Sequence, residues 1–145
     1  DLNDDNNYYS KCRIMLEEQI KPFKNCMLLR VNYPFSFKQK SLKNNKNLVL
    51  KLLKYENIEN ISLSVTNLDS MCTIIPTMIE NNETGIFNFV NSGQLNMIDF
   101  NMMICKKFNI TNKKPIIDTN RESIQIVPDK LEKYNIEDIY SSFKK

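Results

Sequence analysis

A tyrosine donates a proton near neutral pH only when something favours its phenolate, because an ordinary phenol titrates at about pH 10. Tyr9 has such a neighbour in Arg13: four residues apart in a helix, the two side chains share one face. Arginine supplies a permanent positive charge on a planar fork of donors. Lys11, two residues from Tyr9, points elsewhere. The plain alternative is a tyrosine capping a helix and a surface cation. Arg30 stands near the end of the apolar run Cys26–Val31, where a guanidinium is costly without an anionic partner, most simply a carboxylate. Asn88 and Asn91 fall in the apolar stretch between Gly85 and Gly93 and must be hydrogen-bonded if they are buried.

Other chemistries are removed by composition. The 145 residues include no histidine, which eliminates Ser-His-Asp and Cys-His nucleophiles. Cys12, Cys26, Cys72 and Cys105 form no C-x-x-C pair, so no zinc or other metal site is expected. Each lies in an apolar-patterned segment and reads as a buried free thiol, which suits a reducing, cytoplasmic setting. A net charge of +3 with lysines scattered among acids gives no basic stripe for nucleic acid. No apolar run has the length of a membrane span, and no signal peptide opens the sequence. The first residue is Asp, so the chain reads as a piece of something longer.

The elements that must position these residues are read from periodicity. With 41% hydrophobic and 26% charged residues the chain suits one globular domain or half-domain. A helix begins near Tyr9, with Cys12, Met15, Leu16, Gln19 and Ile20 on one face, and Pro22 stops it. Cys26–Val31 reads as a strand covered on both faces. Residues 35–46 read as a polar, mobile loop, and Leu48 to Tyr55 as a short helix. Ile61–Val65 alternates as a strand does. Thr66 or Asn67 can cap a helix whose stripe is Leu68, Met71, Cys72, Ile75, Met78 and Ile79, kinked at Pro76. Both glycines of the chain bracket the next strand, where positive φ or close approach is expected. Asn96 or Asp99 starts a helix to Phe108 with Met97, Ile98, Met102 and Cys105 inward. Short extended segments at 115–117 and 124–126 and two small helices complete the pattern, an α/β arrangement.

Several stretches resemble the extended short-chain dehydrogenase/reductases, in particular the dTDP-4-dehydrorhamnose reductases and the bifunctional 3,5-epimerase/4-reductases. Leu29-Arg30-Val31 with Pro34 is similar to the strand after the family's catalytic helix. Ser64-Val-Thr-Asn-Leu-Asp69 looks like its entry into the next helix. Gly85-Ile-Phe-Asn-Phe-Val-Asn-Ser-Gly93 matches the pattern Gly-Ile-(aromatic)-Asn-Phe-x-Asn-x-Gly. The likeness runs from about Tyr9 to Phe108.

The resemblance implies the carboxyl-terminal half of a Rossmann-like fold with a small substrate-binding lobe. It implies Tyr9 as catalytic acid, with Arg13 in place of the family lysine that also bonds the cofactor ribose. Tyr33 and Pro34 would border NADP or NAD. Asn47-Leu-Val-Leu-Lys51 is similar to a segment whose lysine is the acid of the epimerisation. Arg30, Asn47, Asn88, Asn91 and Arg121 would then meet a nucleotide-diphosphate sugar, Arg30 through the diphosphate. The glycine-rich dinucleotide loop, which backbone approach to a pyrophosphate demands, cannot be built from two distant glycines. The expected protein is therefore the substrate-side part of an NAD(P)H-dependent nucleotide-sugar reductase, possible epimerase included, inactive alone and completed by an amino-terminal half or another copy. The alternative is a non-catalytic nucleotide-sugar-binding or assembly module derived from it.

Overall fold

The computed structural model describes residues 8–38, 46–111, 114–119 and 121–143. Helix α1 (Tyr8–Ile20) ends just before Pro22, and strand β1 (Met27–Arg30) comes after it. Next come helix α2 (Leu48–Lys54) and the two-residue strands β2 (Ile58–Glu59) and β3 (Ser62–Leu63). Helix α3 (Leu68–Met71) passes through a 3-10 turn, Cys72–Ile74, into helix α4 (Ile75–Glu80). Strand β4 (Gly85–Asn88), strand β5 (Leu95–Asn96), helix α5 (Met97–Phe108) and strand β6 (Ile116–Ile117) complete the regular elements, with 3-10 turns at Glu132–Tyr134 and Ser141–Phe143. The architecture is α/β, as the sequence predicts. β1 pairs parallel with β4, β2 parallel with β6, and β3 antiparallel with β5.

Asparagine starts three of the helices. The side chains of Asn47, Asn67 and Asn96 accept hydrogen bonds from the backbone N–H groups of Val49, Asp69 and Ile98, satisfying donors that have no partner inside the helix. Of the paired alternatives in the sequence, Asn67 is thus the cap of α3 and Asn96 that of α5.

The segment Ser64–Asn67 joins the pieces, and all four of its residues are buried. On one side Phe35 N–H donates to Thr66 O at 3.0 Å and Thr66 N–H to Asn32 O at 2.8 Å; on the other, Asn91 N–H donates to Val65 O at 3.0 Å. The Thr66 hydroxyl donates to Phe89 O at 2.8 Å, and Asn67 N–H donates to the Asn91 side chain, also at 2.8 Å. A short polar run is therefore hydrogen-bonded like a central strand.

Several expectations need correcting. Residues 35–46 are not simply a polar mobile loop: Phe35 is 0% exposed and sits against Phe37, Phe100 and Phe143 with ring centroids 4.8 to 5.7 Å apart. Positions 39–45 of that stretch lie outside the described residues. The apolar face of α1 is not buried, for Met15 and Leu16 are 62% and 55% exposed, and the half-buried residues are Ser10, Ile14, Glu17 and Ile20. β1 is half-buried along its length, because β4 is its one described strand neighbour. The stripe after Asn67 is broken by the 3-10 turn, which rotates α4 relative to α3: Met71 and Met78 are buried, while Cys72 and Ile79 are exposed. In α5 the inward set is Met97, Phe100, Asn101 and Ile104; Met102 is exposed and Cys105 half-buried. The cysteines are free but not buried, with Cys12 and Cys72 exposed and Cys26 and Cys105 intermediate.

Both glycines do have positive φ, +97° at Gly85 and +85° at Gly93. A Cβ at Gly85 would meet nothing within 4 Å, and one at Gly93 only Ile139 Cγ2 at 3.8 Å. Space is available at both, so backbone conformation is the cost. Gly85→Ala and Gly93→Ala should each lower stability by about 1 kcal/mol in urea unfolding, with unchanged slope; a neutral result at either would show that the turn relaxes. Phe35→Ala removes the fully buried ring of the aromatic cluster, in contact with Phe37, Phe100 and Phe143, and should cost about 3–5 kcal/mol in the same measurement. A loss below about 1 kcal/mol would refute a central packing role for Phe35.

Candidate active site

α1, the carboxyl ends of β1 and β4, and the turn after β1 enclose a crevice of about 720 Å³. The parallel register pairs Arg30 with Asn88, so the last residues of both strands reach it together. Of the residues singled out in the sequence, Tyr9, Arg13, Arg30, Tyr33, Pro34, Lys51 and Asn88 line this one space.

Tyr9 and Arg13 meet as the helical spacing requires. An Arg13 terminal nitrogen donates a hydrogen bond to the Tyr9 phenol oxygen, and the guanidinium carbon lies 5.3 Å from the ring centroid. Tyr9, 65% exposed, is open to a ligand.

The partner of Arg30 is a carboxylate. Arg30 Nε donates to Glu17 Oε1 at 2.8 Å, and a second guanidinium nitrogen donates to Oε2. Arg30's hydrogen bonds hold the Glu17 carboxyl below the usual carboxylate range; partial burial opposes them, and the charges of Arg30, Arg13 and Lys21 add to the lowering. The Arg30 guanidinium is raised in turn, first by its hydrogen bond to Glu17. Sequence reasoning alone misses Glu17. Its signal is its place four residues beyond Arg13 and eight beyond Tyr9 on the same helical face.

Tyr33 has φ +40°, in the left-handed region that a bulky side chain seldom enters. The preceding residue is held from three directions: Asn32 N–H donates to the Thr66 hydroxyl at 3.1 Å, Asn32 Nδ2 to Ser64 O at 2.7 Å, and Thr66 N–H to Asn32 O at 2.8 Å. The buried segment thus sets the backbone that presents Tyr33 and Pro34 to the crevice. Lys51 approaches from α2, and Asn88 Nδ2 donates to Val127 O at 3.3 Å.

Three predicted residues lie elsewhere. Asn47 caps α2 and donates to Ser36 O at 2.8 Å. Asn91 is 1% exposed and ties Asn67 N–H to Glu137 O, at 2.8 and 3.3 Å. Arg121 pairs on the surface with Glu59 at 3.2 Å. A second cavity, about 490 Å³, contains Asn91 together with Phe37, Asp69, Ser70 and Phe143.

Among the described residues no group of three or more His, Cys, Asp or Glu could hold a metal ion, and no helix is long and apolar enough to cross a membrane. The described residues do not fit a dinucleotide pyrophosphate either. Gly85 opens β4 and Gly93 lies between β4 and β5, so neither stands in a strand-to-helix turn where backbone N–H groups could cradle phosphate.

No family model matches the chain. Over 86 residues, 59% of its length, it is 40% identical to a bifunctional dTDP-4-dehydrorhamnose 3,5-epimerase/dTDP-4-dehydrorhamnose reductase of Arabidopsis thaliana, of which the match spans 28%. Its fold matches the L780 UDP-rhamnose synthase of Acanthamoeba polyphaga mimivirus with a TM-score of 0.77 at 24% identity, over 99% of this chain and 54% of that one. It also matches a dTDP-4-dehydrorhamnose reductase of Bacillus anthracis in complex with NADP, with a TM-score of 0.72 at 15% identity, over 95% of this chain and 52% of that one. The chain therefore spans about half the length of these folds. Its relatives and structural neighbours are dTDP-4-dehydrorhamnose reductases and UDP-rhamnose synthases, the family its sequence resembles, matched over part of their length.

Proposed function

We propose that this chain is the substrate-side portion of a nucleotide-sugar reductase that acts on a UDP- or dTDP-linked 4-keto-6-deoxy sugar in rhamnose nucleotide synthesis. The observation that carries the reading is the Arg13–Tyr9 hydrogen bond at the mouth of a crevice formed by the ends of β1 and β4. When the sugar C4 carbonyl is reduced, its oxygen gains negative charge, and Tyr9 supplies the proton while Arg13 stabilises the phenolate left behind. Hydride chemistry belongs to NADPH or NADH, bound mainly by the portion of the neighbouring folds that this chain does not span; Arg13, Tyr33 and Pro34 would border it. Asn88 and Arg30 lie where a sugar or its diphosphate could reach them. Arg30 would do so while keeping Glu17 as its own counter-ion.

Lys51 extends the reading to epimerisation. The Lys51 ammonium, which lines the same crevice from α2, would protonate or stabilise an enolate beside the keto group. Asn47, Asn91 and Arg121 enter only indirectly, since each is committed to a structural contact outside the crevice. Free thiols at all four cysteines suit a cytoplasmic setting. A second reading, a nucleotide-sugar-binding module without turnover, is favoured by one observation: Arg13 stands at the position of the family lysine, and its planar guanidinium does not replace a point ammonium freely.

Titration calorimetry of the chain with UDP-rhamnose and with dTDP-rhamnose tests the common part of both readings. Binding of either with Kd below about 1 mM is expected, and heats equal to dilution for both would overturn them. Turnover separates the readings. A chimera joining this chain to the portion of the Bacillus anthracis reductase that it does not cover should reduce a nucleotide-linked 4-keto sugar with NADPH, and Tyr9→Phe should slow the reaction by about 10²–10⁴-fold. Sugar binding with no turnover would support the module, and unchanged turnover in Tyr9→Phe would remove Tyr9 from the mechanism.

A further inference from the structure

α1 is the wall of the crevice that burial secures least. None of its residues is buried, and its apolar face carries Met15 and Leu16 in the open. Removal of apolar surface from water, which fixes α2 and α5 through Leu48, Val49, Leu52, Phe100 and Ile104, contributes little here. What ties α1 across to the strands is the two-bond fork between Arg30, the last residue of β1, and Glu17. Such a bidentate pair, with Glu17 only 18% exposed and Arg30 40% exposed, belongs to the geometry in which a partly exposed ion pair has measurable value.

Tyr9, Arg13 and Glu17 succeed one another at four-residue intervals on one face, which places the fork about 12 Å along the helix from Tyr9. We propose that Glu17 and Arg30 are a positioning clasp that holds α1, and with it Tyr9 and Arg13, over the carboxyl ends of β1 and β4. The pair touches no reacting atom in this scheme. It decides whether the helix that carries the tyrosine faces the strand ends at all, and it rests on the functional reading only for what Tyr9 does there. The charged groups around it are Arg30 from β1, Arg13 and Lys21 from α1 itself, and Asp129 acting on Arg30. Because the folded Glu17 titrates below its ordinary 4.5, the clasp is fully present above that value and is lost as pH falls through the lowered one.

Amide hydrogen exchange of the full chain, read by peptide mass, tests this. In Glu17→Gln and in Arg30→Gln, peptides from α1 should exchange about 5-fold faster or more, while those from 64–67 and α5 stay unchanged. The double variant should be no faster than either single one, since both remove the same interaction. Arg30→Lys, which retains charge but not the fork, should fall between wild type and Arg30→Gln. Wild-type α1 should loosen below pH 4.5 in a step that Glu17→Gln lacks. Unchanged α1 exchange in both single variants, additive effects in the double one, or the same acid step in Glu17→Gln would each overturn the clasp. Should a glutamine variant also lose protection in α5, Arg30→Lys decides: faster exchange confined to α1 supports the clasp, and wild-type exchange refutes it. Failure of the wild-type chain to bind either nucleotide sugar would sink the functional reading and leave this result standing.

Discussion

The structure depends on four consecutive buried residues, Ser64 to Asn67, whose polar groups are tied into one hydrogen-bond network. Burying a hydroxyl or amide without a hydrogen bond costs several kcal/mol, so a polar run can occupy the interior only if it is satisfied on every side. Here the satisfaction is reciprocal. Thr66 accepts from Asn32 N–H and donates to Phe89 O; Asn67 caps α3 while its own N–H is taken by Asn91; the Ser64 hydroxyl accepts from Ile126 N–H at 2.8 Å. Contacts up to 75 residues apart in sequence close on this short stretch. Removing one partner would leave others unpaired, which is why the segment fixes its neighbours so closely.

Its consequence for the crevice is direct. The turn after β1 carries Tyr33 at φ +40°, a conformation that persists only where the surroundings over-determine it. Thr66 and Ser64 supply that constraint through Asn32 on one flank, and the Phe35–Asn67 bridge supplies it on the other. The floor of the crevice is thereby rigid without large apolar burial in β1. The second cavity, at Asn91 and Ser70, lies on the same segment but gathers none of the crevice residues.

How much of this was legible in the sequence varies with the physics behind each signal. Short-range rules read well: asparagine caps, the stop before Pro22, positive φ at both glycines, and the four-residue contact of Tyr9 with Arg13 depend on neighbours along the chain. Faces read poorly. Periodicity says that Met15 and Leu16 share a side of α1 but not that anything covers it, and the 3-10 turn at Cys72 shifts the phase of the stripe beyond it. Asn91 and Asn47 illustrate the same limit for the site: an amide in an apolar run must be hydrogen-bonded, and only the tertiary structure distinguishes a loop tie or a cap from a ligand contact. Glu17 escapes a reading of the sequence because an acid on a helix surface is ordinary until a strand end brings a guanidinium to it.

The two walls of the crevice are thus made by different forces. The floor, from Asn32 to Pro34 and the ends of β1 and β4, is fixed by hydrogen bonds to the buried segment Ser64–Thr66, whose loss would leave groups there unsatisfied. The helical wall has no buried side chain and faces the floor across the bidentate Arg30–Glu17 ion pair. Buried networks open with the fold as a whole, whereas an element held by few contacts opens locally at much smaller free energy. A side chain on such a helix, Tyr9 included, can be displaced without unfolding the strand ends it faces. Where Tyr9 stands relative to the strand ends is then set by electrostatics on α1, and the shape of the space it faces is set by the polar interior at Ser64–Asn67.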